Sequence, residues 1–268
     1  MRNVQTFFCF VLVVGFGFSS TADDSTNQTA STVANWTPPQ NPDPMKILAE
    51  ARADTAAGQY ANALAKFVWF QQDTAKAEPL AFALPYWTNL DAVYPRALEK
   101  LKAIRDEAEK NVHDKDLRAF DNFLDFEEIN EVFGENEKTK ELFIWLDSNK
   151  LGVARSVFDV AEPALINAKE FRLCGNYIHG DTSFAENLES YRRDMQLAKE
   201  PRFGKRLQEY AEKNFINETT TLIALLVVND RKAEAKQVAD NISKEPNLPD
   251  FKAEIQKALN GEIPPRWP

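Results

Sequence analysis

The chain has 268 residues and a formal charge of −9, from 32 basic and 41 acidic side chains. This negative charge repels a phosphate backbone, which argues against nucleic acid as a partner. Only two cysteines, Cys9 and Cys174, are present and CxxCH is absent, so a site built on several thiolates and c-type haem attachment are excluded.

The first 22 residues predict a secretory signal. Arg2 supplies a positive start, and the apolar run that follows, residues 7–18, is too short to span a bilayer. Ser20 and Ala22 place small residues where a signal peptidase reads them. We therefore expect an exported protein, periplasmic or secreted, with no integral membrane span after cleavage; an uncleaved N-terminal anchor is the alternative. The single cysteine of the mature chain favours a bacterial exported protein.

Residues 23–42 are rich in Ser, Thr, Asn and Pro and predict a disordered linker. Beyond them, the scarcity of glycine and the runs of Ala, Leu, Glu and Lys favour helix. Apolar spacing and breaker residues predict helices at 44–57, 59–76, 80–94, 95–112, 117–133, 139–149, 151–160, 163–174, 182–198, 207–228, 232–243 and 250–261. A proline-rich tail, residues 262–268, follows. Helices joined by short turns predict an all-α fold of stacked antiparallel hairpins over residues 43–261.

The first two helices carry the clearest local signals. Asp43 and Pro44 form an N-cap followed by a proline at the first helical position. Gly58 is the usual left-handed stop just past a helix end. After this turn, apolar side chains recur at helical spacing at Tyr60, Ala63, Leu64, Phe67 and Phe70. The pattern predicts a tight helical hairpin.

This hairpin resembles a tetratricopeptide repeat, a unit of two antiparallel helices with a period of ~34 residues. The residues that carry the resemblance are Ala51 on the first helix, Gly58 and Tyr60 in the turn, Ala63, Leu64 and Phe67 on the second helix, and Pro79 at the close. The chain departs from the repeat pattern at Ile47, Glu50, Asp54 and Phe70. A second, weaker resemblance to the same repeat covers residues 219–243.

The resemblance implies an α-solenoid that binds a protein or peptide partner in a concave groove lined by first helices. Carried onto this chain, that face comprises Met45, Leu48, Arg52 and Thr55. The alternative is that a neighbouring helix covers this face. No cofactor, metal or catalytic residue is expected. The function predicted from the sequence is therefore an exported protein-binding scaffold.

A second hypothesis is an exported hydrolase of carbohydrate or peptidoglycan that uses the predicted helix 117–133. The helix carries paired carboxylates, which could act as acid and base, at Asp121, Asp125, Glu127, Glu128 and Glu131. A solvated acidic face is the alternative. A third hypothesis is a structural exported protein that stabilises an assembly through this face and the tail.

Two further features carry weaker hypotheses. Cys174 and His179 could form a metal-binding or nucleophilic pair, although an inter-helix turn explains the segment more simply. A basic stretch at residues 192–206 could hold a carboxylate or sulfate group, although a solvated surface is the alternative.

Overall fold

The computed structural model describes residues 34–74, 80–114, 117–200, 203–245 and 248–267. In these residues the structure has twelve α-helices and one short 3₁₀ turn, and it has no strand. The helices pack in neighbouring pairs, so the prediction of an all-α fold of helical hairpins is confirmed. The predicted signal, residues 1–22, and residues 23–33 of the predicted linker lie outside the described residues.

The described residues divide into two compact units between Thr139 and Lys140. In the first unit the elements are α1 (Pro44–Ala56), α2 (Tyr60–Thr74), the 3₁₀ turn (Leu80–Phe82), α3 (Leu84–Asp91), α4 (Pro95–Asp114) and α5 (Ala119–Phe133). Helix α6 (Asn136–Asn149) contains the division. In the second unit they are α7 (Leu151–Asn167), α8 (Phe171–Gly175), α9 (Gly180–Leu197), α10 (Gly204–Val228), α11 (Lys232–Ile242) and α12 (Lys252–Leu259).

The hairpin of α1 and α2 forms as its local sequence predicts. The Asp43 side chain accepts a hydrogen bond from the Lys46 N–H at 3.1 Å and caps α1. Gly58 has a φ of +74°, in the left-handed region where a side chain would be strained. In the core of the first unit, the buried rings of Phe67 and Trp87 stack with centroids 5.5 Å apart. This contact joins α2 to α3.

Helix α10 is the centre of the second unit and packs against α8, α9, α11 and α12. Its second half is buried on every side from Thr219 to Leu226. A helix that is apolar all round must be covered by neighbours, which explains why so many helices meet here. At the end of α10, Asp230 takes a left-handed φ of +62°, a conformation that Asp tolerates in turns.

The predicted boundary at Pro163 is wrong. The sequence places a helix end before Pro163, but α7 runs through this residue to Asn167. Proline removes one backbone hydrogen bond from a helix interior. The helix continues because its buried face does, through Val157, Ala161 and Leu165 on both sides of the proline. Tertiary packing outweighs the local penalty.

Candidate functional site

An open groove of about 740 Å³ lies in the first unit between α2 and α4. One wall is a single face of α2, at residues 64, 65, 68, 69 and 72, where the pairs 64/65 and 68/69 and residue 72 follow one another at helical spacing. The facing wall on α4 consists of Arg96, Glu99 and Lys100. Trp36 and Pro38, from the segment that precedes α1, complete the lining.

The apolar part of the groove lies on the outer side of the hydrophobic core of the first unit. Leu64, Val68 and Trp69 pack against the core cluster from outside and stay half-buried, because no described helix covers their outer side fully. Trp36 lies edge-to-face on Trp69, with ring centroids 6.2 Å apart. The result is an apolar surface with two partly exposed tryptophans.

The position of Trp36 is fixed by two further contacts. The backbone N–H of Asn35 donates a hydrogen bond to Oδ1 of Asn62 on α2 at 2.9 Å. The Lys66 ammonium lies 5.8 Å from the Trp36 ring centroid, in a cation–π arrangement. Lys66 is itself held by Asp54 at 2.8 Å, so an ion pair between α1 and α2 supports the tryptophan wall. Residues 34–36 of the predicted linker thus lie against α2.

The face predicted to bind a partner lies on α1, away from this groove's lining. Met45 is 49% exposed, whereas Leu48 is 3% exposed and belongs to the core. The Arg52 guanidinium stacks over the Tyr86 ring at 4.1 Å, and the Thr55 hydroxyl donates to the Ala51 carbonyl at 2.9 Å. Met45 and Arg52 therefore remain accessible to a partner, and Leu48 contributes to packing instead.

Sequence reasoning missed the two tryptophans and the α4 cations. The usable signal is in α2, where Ala65, Val68 and Trp69 form a second apolar stripe beside the core residues Ala63, Phe67 and Phe70. A surface helix carries one apolar stripe, so a second stripe indicates a second covered or binding face. Nothing local marks Trp36, since the structure joins it to α2 across a long sequence separation.

The acidic side chains of α5 divide between solvent and interior. Asp121 and Glu131 are exposed, while Glu127 is 6% exposed. Asp125 and Glu128 are half-buried on one face. Asp125 accepts a long hydrogen bond, 3.4 Å, from the Gln71 side chain. The solvated acidic face expected as the alternative therefore describes only part of this helix.

Burial changes the protonation of the two half-buried carboxyl groups. It raises the pKa of Glu128 to about 8, with a further contribution from the negative charges of Asp125 and Glu127. Burial likewise raises the pKa of Asp125 to about 6, against the weaker opposing effect of its Gln71 hydrogen bond. Oε2 of Glu128 is buried and has no hydrogen-bond partner among the described residues. Two neighbouring carboxyl groups with such different affinities for protons are one mark of an acid–base site.

The structure accounts for the remaining sequence candidates in the second unit, which are Cys174, His179 and the basic stretch. Cys174 is fully buried, and burial raises the pKa of its thiol to about 12, so it is a poor nucleophile at neutral pH. His179 is the N-cap residue of α9. Several cations of the basic stretch form ion pairs, such as Arg192 with Glu245 at 2.5 Å and Lys205 with Glu209 at 3.4 Å.

A second group of carboxyl groups lies in the second unit, at Asp159 and Glu162 on α7 and at Glu218 on α10. Burial, together with the smaller effects of the charges of Glu218 and Asp159, raises the pKa of Glu162 to about 8. Burial also raises the pKa values of Asp159 and Glu218. Because their pKa values are raised, these carboxyl groups stay neutral to higher pH, which reduces the electrostatic repulsion between them.

The described residues contain no group of three or more His, Cys, Asp or Glu side chains that could hold a metal ion. None of the described helices has the length and apolar character needed to cross a membrane. Comparisons with protein-family models, with curated proteins and with solved structures found no match for this chain.

Proposed function

We propose that the protein is an exported binding scaffold of tetratricopeptide-like helical hairpins, which receives a protein or peptide partner and does no catalysis of its own. The observation that supports this most is the groove between α2 and α4, with two partly exposed tryptophans in its lining. Its volume falls within the roughly 300–1,000 Å³ of typical ligand sites. Tryptophan is enriched at protein interfaces, because it combines a large apolar surface with a polar N–H.

The proposal places the partner on a different face from the one that the tetratricopeptide resemblance implies. That resemblance puts the partner on first helices, at Met45, Leu48, Arg52 and Thr55. The groove lies instead on α2, the second helix of the pair α1–α2, and on α4, which packs most extensively against α5. The two faces can be separated by experiment, because Trp69 and Arg52 lie on different helices.

The test is a pull-down of partners from the exported fraction with the wild-type protein and two variants. Trp69→Ala removes the apolar wall, and Arg52→Glu reverses a charge on the α1 face. We expect Trp69→Ala to lose the specific partner and Arg52→Glu to keep it, with circular dichroism confirming that both variants are folded. Loss of the partner only in Arg52→Glu would move the site to α1, and retention by both would reject both faces.

Export is part of the same proposal and rests on the predicted signal in residues 1–22. N-terminal sequencing of the protein purified from the exported fraction tests it. We expect the mature chain to begin at Asp23, directly after Ala22. An intact N-terminus in a membrane fraction would favour an uncleaved anchor.

One observation favours a second candidate function, a hydrolase of carbohydrate or peptidoglycan. Glu128, with its pKa raised to about 8, would be protonated at neutral pH and could donate a proton, while Asp125 would be largely ionised. The test is release of soluble fragments from peptidoglycan or an oligosaccharide panel. Activity that disappears in both Glu128→Gln and Asp125→Asn would establish this function, and no release by the wild-type protein would reject it.

A further inference from the structure

The groove between α2 and α4 carries charges that would select among partners, and this inference rests on the binding role proposed above. Its charged lining consists of two cations, Arg96 and Lys100, and one carboxylate, Glu99. The chain as a whole has the opposite balance, with 41 acidic and 32 basic residues. A locally cationic groove attracts carboxylates, whereas the rest of an acidic protein surface repels them.

The cations are placed to act on a ligand in the groove. Arg96 and Lys100 are four residues apart on α4, so their side chains leave the helix on one face. Lys100 is half-buried, and it has no hydrogen-bond or ion-pair partner among the described residues. An ammonium group without a partner is available to pair with a carboxylate bound in the groove.

The opposite wall supplies an apolar surface of fixed shape. Trp36 and Trp69 are held edge-to-face, and the Asn35–Asn62 hydrogen bond holds the segment that carries Trp36. A wall that is ordered before binding lowers the entropy cost of the complex. Such a surface suits aromatic rings and proline, which contact tryptophan with little loss of conformational freedom.

We infer that the groove binds an extended acidic peptide segment in which aromatic or proline side chains alternate with carboxylates. The apolar side chains lie against Trp36 and Trp69, and the carboxylates contact Lys100 and Arg96. In an extended peptide, alternate side chains point to opposite sides, so such a sequence can reach both walls at once. Negatively charged oligosaccharides could also pair with these cations, so the experiment includes an oligogalacturonate.

The experiment measures fluorescence anisotropy of labelled octapeptides with the full-length mature protein. The first peptide alternates Glu and Phe; in the others Gln or Lys replaces Glu, or Ala replaces Phe. We expect the Glu–Phe peptide to bind at least about tenfold more tightly than each of the others, and more weakly as salt increases. An oligogalacturonate that binds as tightly as this peptide would overturn the inference.

Charge reversal on α4 supplies the matched control. We expect Lys100→Glu to weaken binding of the Glu–Phe peptide about tenfold and to strengthen binding of the Lys–Phe peptide. Lys102→Glu, an exposed change on the same helix outside the groove lining, should leave both affinities unchanged. If Lys100→Glu does not fold, Lys100→Gln takes its place and should remove the preference for Glu over Gln.

The outcomes separate this inference from the proposed function. Equal binding of the Glu–Phe and Lys–Phe peptides, with both lost in Trp69→Ala, would overturn the acidic preference and leave the groove as the binding site. If Trp69→Ala leaves binding of the Glu–Phe peptide unchanged, the groove is not the binding site. The acidic preference and the proposed binding function of the groove would then both be wrong.

Discussion

Trp36 packs edge-to-face on Trp69, with ring planes at 72°, and so holds the segment before α1 against α2. An aromatic pair of this kind contributes about 0.5–1.5 kcal/mol beyond its buried area. We expect Trp36→Ala to release residues 34–39 and to increase proteolytic cleavage there, while the helices remain folded. Limited proteolysis followed by mass spectrometry measures this. Thr37→Ala, an exposed neighbour, is the control, and equal cleavage rates in the two variants would contradict the contact.

Lys66 stabilises the pairing of α1 with α2. It is 7% exposed, and its ammonium lies 2.8 Å from Asp54 and 3.4 Å from Glu50. Lys66→Ala removes the packing of a buried side-chain stem and leaves the partly solvated carboxylates of Asp54 and Glu50 unpaired, so we expect it to lower the free energy of unfolding by about 1–2 kcal/mol. Urea denaturation measures it. Lys102→Ala, at an exposed position on α4, should change stability by less than about 0.5 kcal/mol.

Gly175, at the end of α8, is required by the side chain of Asn229. A Cβ at Gly175 would overlap the Asn229 carboxamide, whose Nδ2 donates to the Phe171 and Leu225 carbonyls at 2.8 Å each. Gly175→Ala must displace Asn229 and break these bonds, so we expect a loss of about 2–3 kcal/mol. Thermal unfolding measures this loss.

Two further variants test that explanation. A Cβ at Gly152 on α7 meets no atom within 4 Å, so Gly152→Ala should leave the melting temperature unchanged or slightly raised. In the double variant Gly175→Ala with Asn229→Ala, the clash is absent, so its loss should be smaller than the sum of the two single losses. Additive losses would show that the two side chains do not compete for the same space.

The local part of the fold could be predicted from the sequence. Gly58 takes the left-handed φ that its predicted role as a helix stop requires, and the apolar spacing of α2 identifies core residues such as Phe67 and Phe70. Short-range signals suffice here, because a cap or a helical stripe depends on residues within one or two turns.

The site could not be predicted in the same way. The groove forms because residues distant in sequence meet, as Trp36 does with Trp69 and as α2 does with Lys100 on α4. Leu48 illustrates the converse: its helical position assigned it to a binding face, and the packing of the first unit places it in the core. Which side of a helix stays uncovered is a property of the tertiary contacts.

Glu128 makes stability depend on pH. Its folded-state pKa of about 8 lies above the ordinary value of 4.5, so the folded protein holds a proton that the unfolded chain releases. The stabilising contribution is complete below about pH 4.5 and is lost as the pH rises through about 8. We therefore expect Glu128→Gln to raise the free energy of unfolding by up to about 4–5 kcal/mol at pH 9 and by less than about 1 kcal/mol at pH 5.

Urea denaturation between pH 5 and pH 9 measures this difference, and the comparison with wild type cancels the contributions of other carboxyl groups. Glu107→Gln, at an exposed position on α4, is the control and should follow the wild-type pH dependence. Parallel pH profiles of the wild type and Glu128→Gln would show that the Glu128 carboxyl is solvated in the folded protein.

The most direct test of the binding groove is hydroxyl-radical footprinting of the protein with and without its captured partner. Tryptophan and methionine both react strongly, and the structure places Trp36 and Trp69 in the groove and the 49% exposed Met45 on the α1 face. We predict that partner binding protects Trp36 and Trp69 from oxidation and leaves the oxidation of Met45 unchanged. Protection of Met45 with unchanged oxidation of both tryptophans would contradict the groove between α2 and α4 as the binding site.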